Sequence, residues 1–231
     1  MNKDINDFNK IRRSLKKGVV CLSQQSLGDC LNIFYEKKFE PKKSKPYFDD
    51  VSNRNSHFEA DWLCEELKLI YEYDGPDHYN NVWKINRDRR KQIKLSKEYK
   101  IITIPFYFQI TKNIAKFLFK ECYSDKKYSK VIKKLYGAND ESEILAPGWH
   151  RTHNTVANFV EQGIDRFLEE MDKYPPSLKS QVKHSLDLFI KDSNGQGNLI
   201  VPKHHKAFNK FMLFKPDKKA LNLVYLRKEK L

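Results

Sequence analysis

Apolar positions recur at helical spacing in three places along this chain. Leu27, Leu31, Phe34, Tyr35 and Phe39 form one stripe that predicts a helix from Ser26. Ser26, with Asp29 three residues later, fits a capping box for it. Val156, Phe159, Val160, Ile164, Phe167, Leu168 and Met171 form the second stripe. The third, Leu178, Val182, Leu186, Phe189 and Ile190, follows Pro175-Pro176 and closes at Asn194-Gly195. Between the first two stripes the pattern shortens. Segments 58–64 and 68–74 are expected to pair as a hairpin across a turn at 65–67, and Gly75-Pro76 ends the second strand. A helix is expected over about 81–97, then a buried strand at 101–105 stopped by Pro105, then basic helical segments over 110–136. The Lys/Pro-rich stretch 40–56 is expected to be a loop, 137–143 a polar break, and 199–201, 211–214 and 221–226 short strands, the last two a hairpin.

Composition narrows the class. A hydrophobic fraction of 39% with 13% aromatic is enough for a packed interior, which excludes wholesale disorder. No apolar stretch reaches membrane-span length, and the charged first residues lack the apolar region of a signal peptide, so a cytoplasmic protein is expected. Four scattered cysteines without a C-x-x-C pair signal neither a disulfide framework nor a zinc site. His150 with His153, and His204 with His205, are accordingly read as solvated or DNA-facing. The net charge of +14 supplies the counterion-release term that dominates non-specific nucleic-acid affinity, and so points to nucleic acid as the partner.

The chemistry gathers in the central segment. Asp61 and Glu72 would stand on adjacent strands of one hairpin, and Asp74, two after Glu72, would share its face. Unpaired carboxylates among apolar neighbours are costly to bury, and a dication relieves their mutual repulsion. Such a set holds Mg²⁺ beside a phosphate. His78 follows, and a helix over 81–97 would put Asp88 and Lys91 on one face. Asp88 is expected to orient a basic neighbour, Asp29 to cap its helix.

The order Asp61, Glu72-x-Asp74-Gly75-x-x-His78-Tyr79, Arg87-Asp88-x-x-Lys91, then Ile101-Ile102-x-Ile104-Pro105 resembles the PD-(D/E)XK nuclease superfamily. It is most similar to the branch of small phage, viral and bacterial endonucleases whose second strand ends E-x-D-G-x-x-H. The likeness runs from Ser26 to Tyr107, and Ser26-Leu27-Gly28-Asp29 stands where that pattern has S-x-G-E. It implies an α/β fold, a restriction-endonuclease-like core of a mixed central sheet flanked by helices. Asp61 falls on the family's first metal-binding aspartate and Glu72 on its second acid; Asp74 would add a third metal ligand or contact a metal-bound water. Two positions depart: Asp74 replaces the archetypal lysine, and Ala60 replaces the proline before Asp61. The water-activating role is therefore open among Asp74, His78 and Lys91.

The expected organisation is a basic arm over 1–25, a nuclease core over 26–136 and a largely helical region over 137–231 for DNA recognition or dimerisation. A stand-alone nuclease with a large private C-terminal region looks like a Type II restriction endonuclease, which implies Mg²⁺ as cofactor and a homodimer on double-stranded DNA. Rival readings are a mismatch-nicking, homing or junction-resolving enzyme on the same core, or a DNA-binding module without activity.

Overall fold

The computed structural model describes residues 22–49, 53–108, 110–136, 161–192 and 204–215. The first element is helix α1, Gln24–Tyr35, then strands β1, Glu40–Asp49, β2, Arg54–Cys64, and β3, Leu69–Asp74. After a one-turn 3₁₀ helix at Pro76–Tyr79 come α2, Val82–Leu95, β4, Lys100–Pro105, α3, Lys112–Phe119, and α4, Asp125–Tyr136. Three more helices follow: α5, Glu161–Asp172, α6, Pro176–Asp192, and α7, Lys206–Leu213. The strands form one mixed sheet in the order β1-β2-β3-β4, with the first three antiparallel and β4 parallel to β3. The fold is thus α/β, with a mixed four-stranded sheet.

Alternation along β3 gives the sheet two buried faces. Leu69 and Tyr71 join a large core with residues of α1, α3 and α4, including Leu27, Phe34, Phe119 and Val131. Ile70 points the other way, into a smaller cluster with Phe58, Ala60, Leu63, Leu95 and Tyr99. Leu95 belongs to α2, so that helix covers the second face. The C-terminal helices do not stand apart. Ile164, Phe167, Met171, Leu178, Val182, Leu186 and Phe208 all belong to the large core.

Three expectations are corrected. The stretch 40–56 is no loop: β1 pairs with β2 from Glu40↔Leu63 to Asp49↔Arg54. Its lysines and prolines suit a sheet edge, where an outward proline forfeits no ladder bond. Tyr47 stacks on Phe58 across the pair at 3.7 Å between ring centroids. Second, α1 begins earlier than Ser26. Ser23 is the N-cap and forms the capping box with Ser26, while Asp29 pairs with Lys134 of α4 at 2.9 Å. Third, Phe211 lies in helix α7 instead of a strand, because Phe208, Phe211 and Met212 fall at helical spacing against the core. Phe211 meets Phe167 at 5.3 Å.

The hairpin, the helix after it and the strand at 101–105 form within a few residues of their expected bounds. The arm before residue 22, the break at 137–143, His150, His153 and the strands expected at 199–201 and 221–226 lie outside the described residues. Among the described residues, no helix is long and apolar enough to cross a membrane.

Candidate active site

Asp61 sits where the ladders on both its sides lapse. The β2–β3 register runs from Cys64↔Leu69 to Trp62↔Tyr71 and stops there. The β1–β2 register passes from Pro41↔Trp62 to Lys43↔Ala60, and Lys42, opposite Asp61, has φ 50°. Inward alternation changes here too, since Phe58, Ala60 and Leu63 all reach the same cluster. The carboxylate takes over part of the lost bonding. Asp61 Oδ2 accepts the backbone N–H of Tyr73 at 2.8 Å, and Oδ1 accepts from Gln24 Nε2 at 2.6 Å.

Gln24 is held in place by an unusual contact. The Trp62 indole donates to the Gln24 carbonyl at 2.7 Å and lies across Gly28, where a Cβ would meet its ring at 2.2 Å. Gly28 is therefore the mid-helix residue that lets α1 approach β2 this closely.

Glu72 and Asp74 lie on the β3 face that α2 covers, both buried. Lys91 reaches down from α2 and donates to Glu72 Oε2 at 2.6 Å and to the Glu59 carbonyl. Glu72 Oε1 has no hydrogen-bond partner among the described residues, although it is buried. Burial pushes the Glu72 carboxyl up to about 8, against the pull of the Lys91 ammonium and with the repulsion of Asp61 and Asp74 added. Burial also raises Asp61, opposed by the Tyr73 N–H and by Lys91.

Asp74 belongs to a second group, in which each carboxylate has a cationic partner. Its Oδ2 accepts from Arg166 Nη2 of α5, and its Oδ1 lies 3.4 Å from His78 Nδ1. His78, on the one-turn helix after Gly75, bonds Asp88 Oδ2 through the same nitrogen at 2.6 Å. Burial works against a charged His78, but Asp88 and Asp74 outweigh it and hold the imidazole above its ordinary value. Asp88 in turn is held below the usual carboxylate range despite burial, by the bond to His78 and the charge of Arg166.

Arg166 completes this group. It donates through Nη1 to Asp88 Oδ2 at 2.9 Å and to the His78 carbonyl at 3.1 Å, and through Nε to Glu170 Oε1 at 3.0 Å. Its guanidinium lies 4.6 Å from the Tyr79 ring centroid. Tyr79 and Tyr107 donate to Glu170 Oε2 at 2.7 and 2.5 Å, so both Glu170 oxygens act as acceptors.

All five expected site residues thus gather at the C-terminal end of β3. Asp61, Glu72 and Lys91 form one half, and Asp74 and His78 the other, where Asp74 has a guanidinium partner. Sequence reasoning missed Gln24, Arg166 and Glu170. For the last two a signal exists, a charged pair at i, i+4 interleaved with Phe167 and Met171 of the apolar stripe.

The donor set on the Asp61 side fits a hard dication: two neighbouring carboxylates, one buried oxygen without a donor, and a raised proton affinity that a dication would replace. No protein-family model, curated protein or solved structure matches the chain.

Proposed function

We propose that this protein is a Mg²⁺-dependent endonuclease that hydrolyses double-stranded DNA to 5′-phosphate and 3′-hydroxyl ends. The observation that carries the reading is the buried Glu72 Oε1, without a donor, on a strand beside Asp61. A purely structural carboxylate would have both oxygens satisfied. Asp61 and Glu72 would hold the cation, which when bound supplies charge neutralisation at the scissile phosphate and an acidified water.

The chain's own groups supply the rest. Tyr73 N–H and Gln24 fix the Asp61 carboxylate, so the ligand is oriented before any substrate arrives. Lys91 brings a positive charge against Glu72 Oε2, where it can also meet a phosphoryl oxygen or donate to the attacking water and orient it, the proton that this water loses passing to solvent. This contact favours Lys91 for the water-activating role over Asp74, whose carboxylate Arg166 engages. The His78–Asp88 pair stands ready as a proton donor toward the leaving oxygen.

The mixed sheet with helices on both faces supports the PD-(D/E)XK core as the finer description of the fold. The net charge of +14 supports DNA as substrate. Within that reading the protein is a Type II restriction endonuclease acting as a homodimer, one site per strand.

Digestion of plasmid and phage DNA with Mg²⁺ or EDTA, alongside Glu72→Ala, tests this. Discrete Mg²⁺-dependent fragments lost in the variant are expected. A smear or nicked circles would replace sequence-specific cleavage with a non-specific or structure-directed nuclease. DNA that is bound but left intact would overturn the enzyme reading altogether.

A further inference from the structure

Asp74, His78 and Asp88 present three ligand atoms within 4.8 Å of one another, a spacing at which a metal ion could be held. The same three residues surround Arg166. The guanidinium donates to Oδ2 of Asp74 and to Oδ2 of Asp88, the two anionic members of the set. Further donors go to Glu170 and to the His78 carbonyl, so each of its three nitrogens is engaged.

The contrast with the neighbouring half decides the matter. Around Asp74 and Asp88 the carboxylate oxygens facing inward already have a cation, one that cannot dissociate or lose its proton. Beside Asp61 and Glu72 a buried oxygen is still without a donor. Displacing Arg166 to admit a dication would leave a guanidinium buried at 8% exposure with Glu170 as its only ionic partner.

We infer that Arg166 is a built-in cation standing in the place of a second metal ion, so that the site takes one divalent ion per chain, at Asp61 and Glu72. The inference rests on the proposed metal-dependent function and deepens it. Arg166 is on this view a positioning residue: it neutralises Asp74 and holds the His78–Asp88 pair, without ligating the ion.

Counting Mn²⁺ bound to the purified full-length chain, by electron paramagnetic resonance of free Mn²⁺ during titration, tests it without any activity readout. One ion per wild-type chain is expected, none in Glu72→Ala, and still one in Asp88→Asn. Arg166→Ala should gain a second ion, and Asp88→Asn added to it should remove that ion again. Two ions in the wild type, falling to one in Asp88→Asn, would overturn the inference while leaving the metal-dependent reading intact. So would a folded Arg166→Ala that still binds one. No ion in the wild type would overturn both. If Arg166→Ala does not fold, the wild-type and Asp88→Asn counts decide alone.

Discussion

The ammonium of Lys91 lies 2.6 Å from Glu72 Oε2 and leaves Oε1 of the same carboxylate buried without a donor. One oxygen of the carboxyl thus has a cationic donor and the other has none, which suits a cation site. Lys91 lowers the cost of ionising Glu72 without offsetting its burial, so below about pH 8 the carboxyl keeps its proton, which a cation arriving at Oε1 would displace.

This predicts an inverse dependence of stability on pH in the metal-free protein. Burial holds Glu72 up to about 8, from an ordinary 4.5. Between those values the folded chain keeps a proton that the unfolded chain has lost. The stability linked to that proton is complete below pH 4.5 and is lost as pH rises through about 8, on the order of a few kcal/mol. Asp61, also raised, acts in the same direction. Calorimetry in EDTA should show the melting temperature falling across this window, more steeply in the wild type than in Glu72→Gln. Mg²⁺ should restore stability most at the alkaline end, with its affinity dropping about tenfold per unit below pH 8. Equal pH slopes in the wild type and Glu72→Gln would contradict this account.

Arg166 predicts a large stability effect, because one guanidinium serves three carboxylates. Truncating it to Met leaves buried Asp74 and half-buried Asp88 without their shared cation and Glu170 without its ionic partner. Losing one member of a buried ion network costs roughly 3–5 kcal/mol. Urea unfolding should show a loss of that size. Arg166→Lys should recover only a small part, since an ammonium cannot reproduce the fork that reaches three carboxylates. A loss below about 1 kcal/mol would mean that the network contributes little.

Gly28 and Trp62 predict a non-additive pair. A Cβ at position 28 would meet three atoms of the Trp62 ring at 2.2 to 2.7 Å, so Gly28→Ala must push the indole off α1. Overpacking of this kind costs about 1–3 kcal/mol. It should also break the Trp62-to-Gln24 bond and loosen Gln24 from Asp61. Trp62→Leu removes the clash, so the double variant should be more stable than the sum of the single losses. A double-mutant cycle in urea measures the coupling, and strict additivity would rule out the contact as the reason for the glycine.

What the sequence carried of this site was local. Asp61 and Glu72 are joined by a short hairpin, and Asp88 and Lys91 by one helical turn, so strand and helix periods alone bring each pair together. Arg166 was not legible in that way. It reaches Asp74 across 92 residues by the packing of α5, and no local period records such a contact. The strand β1 was hidden for a different reason: Lys and Pro on an edge protect it from pairing further, and the same residues are loop signals in a sequence. Gln24 was missed because the helix is capped by Ser23 and starts at Gln24, earlier than its apolar stripe suggests.

The exposed residues of α2 predict how DNA is held. Arg87 lies one turn before Lys91, is exposed, and places its guanidinium 5.3 Å from the ring centroid of Trp83, which is itself 63% exposed. The cation–π contact restrains the guanidinium, so less freedom is lost when it meets a phosphate. On the proposed function, Arg87→Ala should weaken binding to duplexes of every sequence alike and lower the slope of log K against log salt by about 1. Trp83→Ala should weaken binding by a smaller factor and leave the slope unchanged, because it removes the support and keeps the charge. Anisotropy titrations in EDTA, which prevents cleavage, separate these effects over a series of salt concentrations. A loss confined to one sequence in Arg87→Ala would make Arg87 a reader of base edges instead, and an unchanged slope would remove it from the DNA interface.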